Sequence, residues 1–127
     1  MSMNSLFITT EQGENLDIEV IEQTLSRLEG FRKRAESAAD NILEGTIVRG
    51  DTKVEVEVPS KKRAIVLTSF EDLAEVLVYE IAKSLNKVVR VFDMNYVMDV
   101  RVEPRALASP DDVAEILVDG RYDYDSN

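Results

Sequence analysis

Carboxylates are the residues of this chain best equipped for chemistry, because none of its 127 residues is histidine or cysteine. That absence removes the commonest general base, the commonest metal ligand and the best nucleophile together. Asp111, Asp112, Glu115 and Asp119 fall on one short segment and could hold a magnesium ion or act as an acid pair. Ser109-Pro110-Asp111-Asp112 is also a strong helix start, with an N-cap serine, a proline at the first helical position and two acids at the positive end of the dipole. Capping therefore accounts for the first two acids, and Glu115 and Asp119 read as a solvated i,i+4 pair. Asp93, Asn95 and Asp99 have the spacing of oxygen ligands in a calcium loop, but Val97 occupies an intervening ligand position and the glycine and distal glutamate of such loops are missing. They read as a hairpin tip.

The remaining motifs reduce in the same way. Arg49-Gly50-Asp51 spells the tripeptide of integrin ligands, yet a glycine between two valine-rich segments is what a hairpin turn needs. Arg32-Lys33-Arg34 and Lys61-Lys62-Arg63 are short and carry no interleaved aromatics, so they read as solvated faces and turns. Glycines 13, 30, 45, 50 and 120 are too scattered for a phosphate loop. Carboxylate or lysine catalysis needs neither histidine nor cysteine, but nothing in the sequence favours it. The expectation is a protein with no catalytic residues, metal site or cofactor.

Charge sets the class of partner. The net charge is -10, and it belongs to the ends: residues 1–30 and 106–127 each carry six acids and one base, while the stretch between them is neutral. Nucleic acid and anionic membranes need clustered positive charge, so neither is expected as a partner. An apolar run limited to Leu6–Ile8 near the start, and no later stretch of ~20 apolar residues, predict a protein without a signal peptide or membrane span. Together with the lack of cysteine this points to the cytoplasm.

The elements follow from periodicity. Residues 1–14 read as a flexible arm with Leu6, Phe7 and Ile8 docked at most as a short strand. From Asp17 to Leu43 apolar residues recur in steps of three and four (Ile18, Ile21, Leu25, Leu28, Ala35, Ala39, Ile42), with Arg32 in the one slot where an apolar residue is missing and Val20, Phe31 and Ala38 widening the seam. Unbroken, this helix would run about 40 Å at ~1.5 Å per residue and overhang strands of ~17–20 Å. The alternative is a break at Gly30, which costs ~1 kcal/mol inside a helix.

Period two then takes over: strands at 46–48, 53–58 and 64–67 form a meander, with Val54, Val56 and Val58 facing the core and Lys53, Glu55 and Glu57 facing water. A helix starts at Ser69 in a capping-box-like pattern, with Asp72 in place of the usual Glu or Gln. Its stripe of Phe70, Leu73, Ala74, Leu77, Val78, Ile81 and Leu85 leaves Val76 and Tyr79 on the wet side. Strands at 88–92 and 97–102 form a second hairpin, and a last helix ends at Gly120.

The expected fold is α+β: an antiparallel sheet of about five strands in the order α-βββ-α-ββ-α, with a long N-terminal helix. Residues 15–120 form the single domain, between the arm and a disordered acidic tail at 121–127. Over residues 17–118 this order, with the small size and the acidity, resembles the type III secretion chaperones. The resemblance implies a cytoplasmic homodimer that holds an extended client segment, and it carries no motif and transfers no residue. Apolar surface beyond what a small sheet covers marks Leu25, Leu28, Phe31, Arg32, Val76 and Tyr79 as candidate partner-binding residues. The function expected is a non-catalytic, chaperone- or adaptor-like protein-binding domain acting as a homodimer. The alternative is an acidic inhibitor or nucleic-acid mimic of phage or plasmid type that blocks a basic partner surface.

Overall fold

A computed structural model of the chain describes residues 4–36, 40–69, 73–93 and 99–125. The fold is α+β, with one antiparallel sheet and three α-helices among the described residues. The strands are β1 (Asn4–Thr10), β2 (Phe31–Lys33), β3 (Asn41–Arg49), β4 (Thr52–Pro59), β5 (Ile65–Ser69), β6 (Val89–Asp93) and β7 (Asp99–Val102). The helices are α1 (Ile18–Ser26), α2 (Leu73–Leu85) and α3 (Pro110–Asp125). In space the strands run β2-β3-β4-β5-β1-β6-β7.

The meander and the second hairpin form where alternation places them. Val54, Val56 and Val58 are buried along β4 while Lys53, Glu55 and Glu57 are exposed, and Gly50 takes the positive φ (59°) of the tight turn from β3. β6 and β7 pair from Val89 with Val102 to Phe92 with Asp99. The hairpin tip with Asn95, and the capping Asp72, lie outside the described residues. Ser69 closes β5 instead of opening α2.

Two strands depart from expectation, and both come from the N-terminal third. Asn4–Thr10 is not an arm: β1 sits inside the sheet, paired with β5 on one side and β6 on the other. Leu6, Ile8 and Thr10 are buried, so the strand contributes to the core along its length.

The long helix is replaced by a short one and two strands. α1 starts at Asp17, whose carboxylate accepts from the Val20 N–H at 3.3 Å. Its seam of Ile21 and Leu25 is buried as the spacing predicts, with Ile18 and Leu28 packed at the edge of the core. The helix ends after Ser26, and Gly30 at φ 86° turns the chain into β2. There the Gly30 carbonyl accepts from the Val48 N–H at 3.1 Å. Side-chain space also demands glycine: a Cβ at position 30 would press into the Val48 carbonyl. Ala35 lies beyond β2 and Ile42 lies in β3, so the apparent seam past residue 30 is not helical, and Ala38 and Ala39 lie outside the described residues.

The resulting order is β-α-ββββ-α-ββ-α, seven strands instead of about five. The order on which the likeness to type III secretion chaperones rests is therefore not the order of this chain. α3 continues past Gly120 to Asp125, in place of the expected disordered tail.

All three helices form a layer on one face of the sheet. α2 lies over β4 and β5, with α1 beside it toward β2 and α3 on the other side toward β7. Being the middle helix, α2 needs apolar surface on its flanks as well as beneath. Val76 and Tyr79 supply part of it and pack against the core. The core proper gathers Ile8, Ile21, Leu25, Ile47, Val56, Leu67, Leu77, Ile81 and Val91 between sheet and helices, each 0–1% exposed. No helix of the described residues is long and apolar enough to cross a membrane.

Candidate protein-binding site

Alternation in an antiparallel sheet sends every second residue away from the helices. On that second face the cross-strand register aligns one row from β3 to β7: Glu44, Glu57, Val66, Phe7, Phe92, Asp99. Its middle three members are apolar and only half-buried. The Phe7 and Phe92 rings stack with centroids 5.4 Å apart and an interplanar angle of 14°, an arrangement worth ~0.5–1.5 kcal/mol beyond area burial. Thr68 and Ser5 flank this lane on one side, Thr9 and Arg90 on the other. A stacked aromatic pair, rimmed by hydroxyls and charges and lying on a face that no helix of the described residues covers, has the anatomy of an interface centre.

The rim is charged but largely neutralised within the chain. Arg90 makes a two-pronged pair with Asp99, the Nε–Oδ1 arm being 3.2 Å, and Arg101 grips Glu11 with both contacts at 3.0 Å. On the β3–β4 side Lys53 lies 3.5 Å from Glu55. Glu44 is only 5% exposed; its carboxylate accepts from Arg34 at 3.0 Å and from the Asn41 amide at 2.7 Å. A shallow hollow of ≈ 360 Å³ opens at the end of the lane, lined by Thr9, Arg63, Arg90 and Phe92 among others. Its mixture of ring, hydroxyl and guanidinium suits a protruding side chain of a partner protein.

The six residues singled out from the sequence lie elsewhere. Leu25 is 0% exposed and belongs to the core. Leu28, Phe31, Val76 and Tyr79 are half-buried against that core. The Tyr79 hydroxyl donates to the Ala108 carbonyl at 3.3 Å, and the Lys83 ammonium sits 5.9 Å from its ring centre. Only Arg32 of the six is exposed, and it projects on the uncovered face opposite Thr46. No single exposed patch gathers them, because the overhanging helix that would have displayed them does not exist.

Of the carboxylates near α3, Asp112 does structural work. Asp112 accepts from the N–H groups of Ala108 and Ser109 at 2.7 and 3.2 Å, which ties down the start of the helix. Arg49 of the adhesive-looking tripeptide donates from Nε to the Glu29 carbonyl at 2.9 Å, joining the turn before β2 to the end of β3.

Phe7, Val66 and Phe92 are not among the residues that periodicity singles out, although a signal is present. Leu6-Phe7-Ile8 and Ile65-Val66-Leu67 are continuous apolar runs. In a sheet with helices on one side only, such runs place an apolar residue on the side left open. Comparison with known proteins found no matching family model, curated protein or solved structure.

Proposed function

We propose that this chain is a non-catalytic protein-binding module whose contact surface is the uncovered face of its sheet. The observation that carries the proposal is the stacked Phe7–Phe92 pair with Val66 at the centre of that face, half-buried and, among the described residues, without a helix above it. A partner that covers the lane removes apolar surface from water at ~25 cal/mol per Å², and the paired charges around it set orientation. The binding surface is thus the sheet face and not the helix seam.

The test uses benzoylphenylalanine in place of Thr68, beside the lane, and in place of Gln23, on the exposed side of α1. The expected result is a discrete protein adduct from position 68 alone. The purified partner should then bind wild-type chain, and Phe92→Asp should weaken binding at least tenfold while the variant, less stable for the lost stack and the carboxylate set opposite Asp99, remains folded at the assay temperature by far-UV circular dichroism. Undiminished binding by Phe92→Asp rules the surface out.

The second reading, an acidic inhibitor that occupies a phosphate-binding groove, draws on Glu44, Glu55 and Glu57, which lie together on β3 and β4. Lys53 and Arg34 partly neutralise that group. The two readings separate on salt: an acidic mimic loses affinity steeply with ionic strength, an apolar lane does not.

A further inference from the structure

The two ends of the sheet are built differently. β2 is three residues long and reads Phe31-Arg32-Lys33, followed by Arg34. A second copy paired antiparallel on it, centred on Arg32, would set arginine against arginine. Short length and like charge are the usual protection of a sheet edge. β7, four residues long, is also short but lacks the like charge. Its sequence Asp99-Val100-Arg101-Val102 alternates acid, apolar, base, apolar, and among the described residues its backbone makes no hydrogen bond beyond the β6 ladder.

We infer that two copies of this chain join through β7, paired antiparallel about Val100, to give one continuous sheet. The inference rests on the protein-binding reading above and names one partner of the module: itself. In that register Asp99 of each copy lies opposite Arg101 of the other, twice by symmetry, with Cβ atoms ~4.5–5.5 Å apart. Both side chains are exposed on the uncovered face, where Arg90 and Glu11 already hold them. The dimer therefore extends two existing pairs into a network, which a carboxylate with several lone pairs and a guanidinium with five N–H groups can both accept. On the helix side Val100 meets Val100 of the second copy. α3 is the helix beside β7, and its Val118 is 48% exposed, the kind of apolar surface that a neighbouring α3 can cover.

A two-fold axis through Val100 stands perpendicular to the sheet, so both uncovered faces point the same way. The two Phe92 side chains then sit about 16 Å apart, three strand spacings across the joint and two residues along it. A client touching both lanes is held at two points, which raises its effective affinity without any new contact.

Sedimentation of the full chain over a concentration series tests this directly. Wild type is expected to be a reversible dimer. Asp99→Lys places lysine opposite Arg101, and Arg101→Glu places glutamate opposite Asp99, so each variant alone should associate at least tenfold more weakly. Mixed one to one, the two variants restore both opposite-charge pairs: the introduced lysine faces the introduced glutamate, and the native Arg101 of one copy faces the native Asp99 of the other. The dimer should then return. Far-UV circular dichroism checks that each variant is folded. If a reversal fails to fold, Asp99→Asn and Arg101→Gln replace the pair, with a loss of about threefold each expected from the weaker perturbation. A wild-type monomer at every concentration, a dimer indifferent to these substitutions, or a mixture that stays monomeric overturns the β7 joint. A monomer that still binds its partner through Phe92 overturns only this inference and leaves the protein-binding reading standing.

Discussion

Gly30→Ala is the substitution that probes the fold at its turning point. Position 30 has φ 86°, where a residue with a side chain is strained by ~1–2 kcal/mol. The new methyl would also press on the Val48 carbonyl, whose carbon would lie 3.1 Å away. Relief requires β2 to move off β3, which lengthens the Val48 N–H to Gly30 carbonyl bond, now 3.1 Å and worth ~0.5–1.5 kcal/mol net. The expected loss is about 2–3 kcal/mol, a large part of the ~5–15 kcal/mol that folded domains have. In urea this moves the midpoint down by roughly 1 M for a slope near 2 kcal/mol per M. Gly13→Ala is the control: φ there is 71°, but nothing lies within 4 Å of the added Cβ. It should cost only ~1–2 kcal/mol, the strain alone. If Gly30→Ala falls within about 0.5 kcal/mol of Gly13→Ala, or leaves hydrogen exchange at Val48 unchanged, the close approach of β2 and β3 is not what holds this turn.

Two further substitutions test the packing that supports the sheet. At Gly45 a Cβ would lie 2.5 Å from Phe31 Cε1 and 3.0 Å from the Arg32 carbonyl oxygen, so Gly45→Val should displace the ring and cost ~1–3 kcal/mol in thermal unfolding. Combined with Phe31→Ala, the two losses should be clearly less than additive. Thr10→Val removes a buried hydroxyl that accepts from the Glu14 N–H at 2.7 Å and donates to the Glu14 carbonyl at 3.3 Å. A loss of ~1–3 kcal/mol is expected in denaturant unfolding, most of it recovered by Thr10→Ser.

Legibility in the sequence follows the range of the interactions. β4 is readable because strict alternation of valine with charged residues has only one solution beside a single helix layer. α2 is readable because its apolar stripe spans three turns. In both cases the pattern is local, within one strand or one helix. β1 is not readable: Leu6, Phe7 and Ile8 show an apolar run, but what makes it a central strand is pairing with residues about 60 and 85 positions away. Past residue 30 the helix seam consists of alanines, an arginine and Ile42. Alanine carries little hydrophobic weight, and Ile42 is 40% exposed in β3. The unbroken seam also displaces the candidate site. Leu25 and Leu28 overhang only if the helix continues past Gly30, and Val76 and Tyr79 are misplaced only if α2 has no neighbours.

By itself the sequence determined the class of the fold, the two hairpins, α2 and the absence of histidine and cysteine chemistry, because composition and short periodicities belong to the chain whatever its conformation. Tertiary structure alone decided that a strand from the N-terminus enters the sheet between β5 and β6, that Gly30 turns the chain from α1 into β2, and that Phe7 meets Phe92 on the side the helices leave open. Those outcomes depend on which distant strands pair, and pairing is a competition among registers that no local pattern encodes.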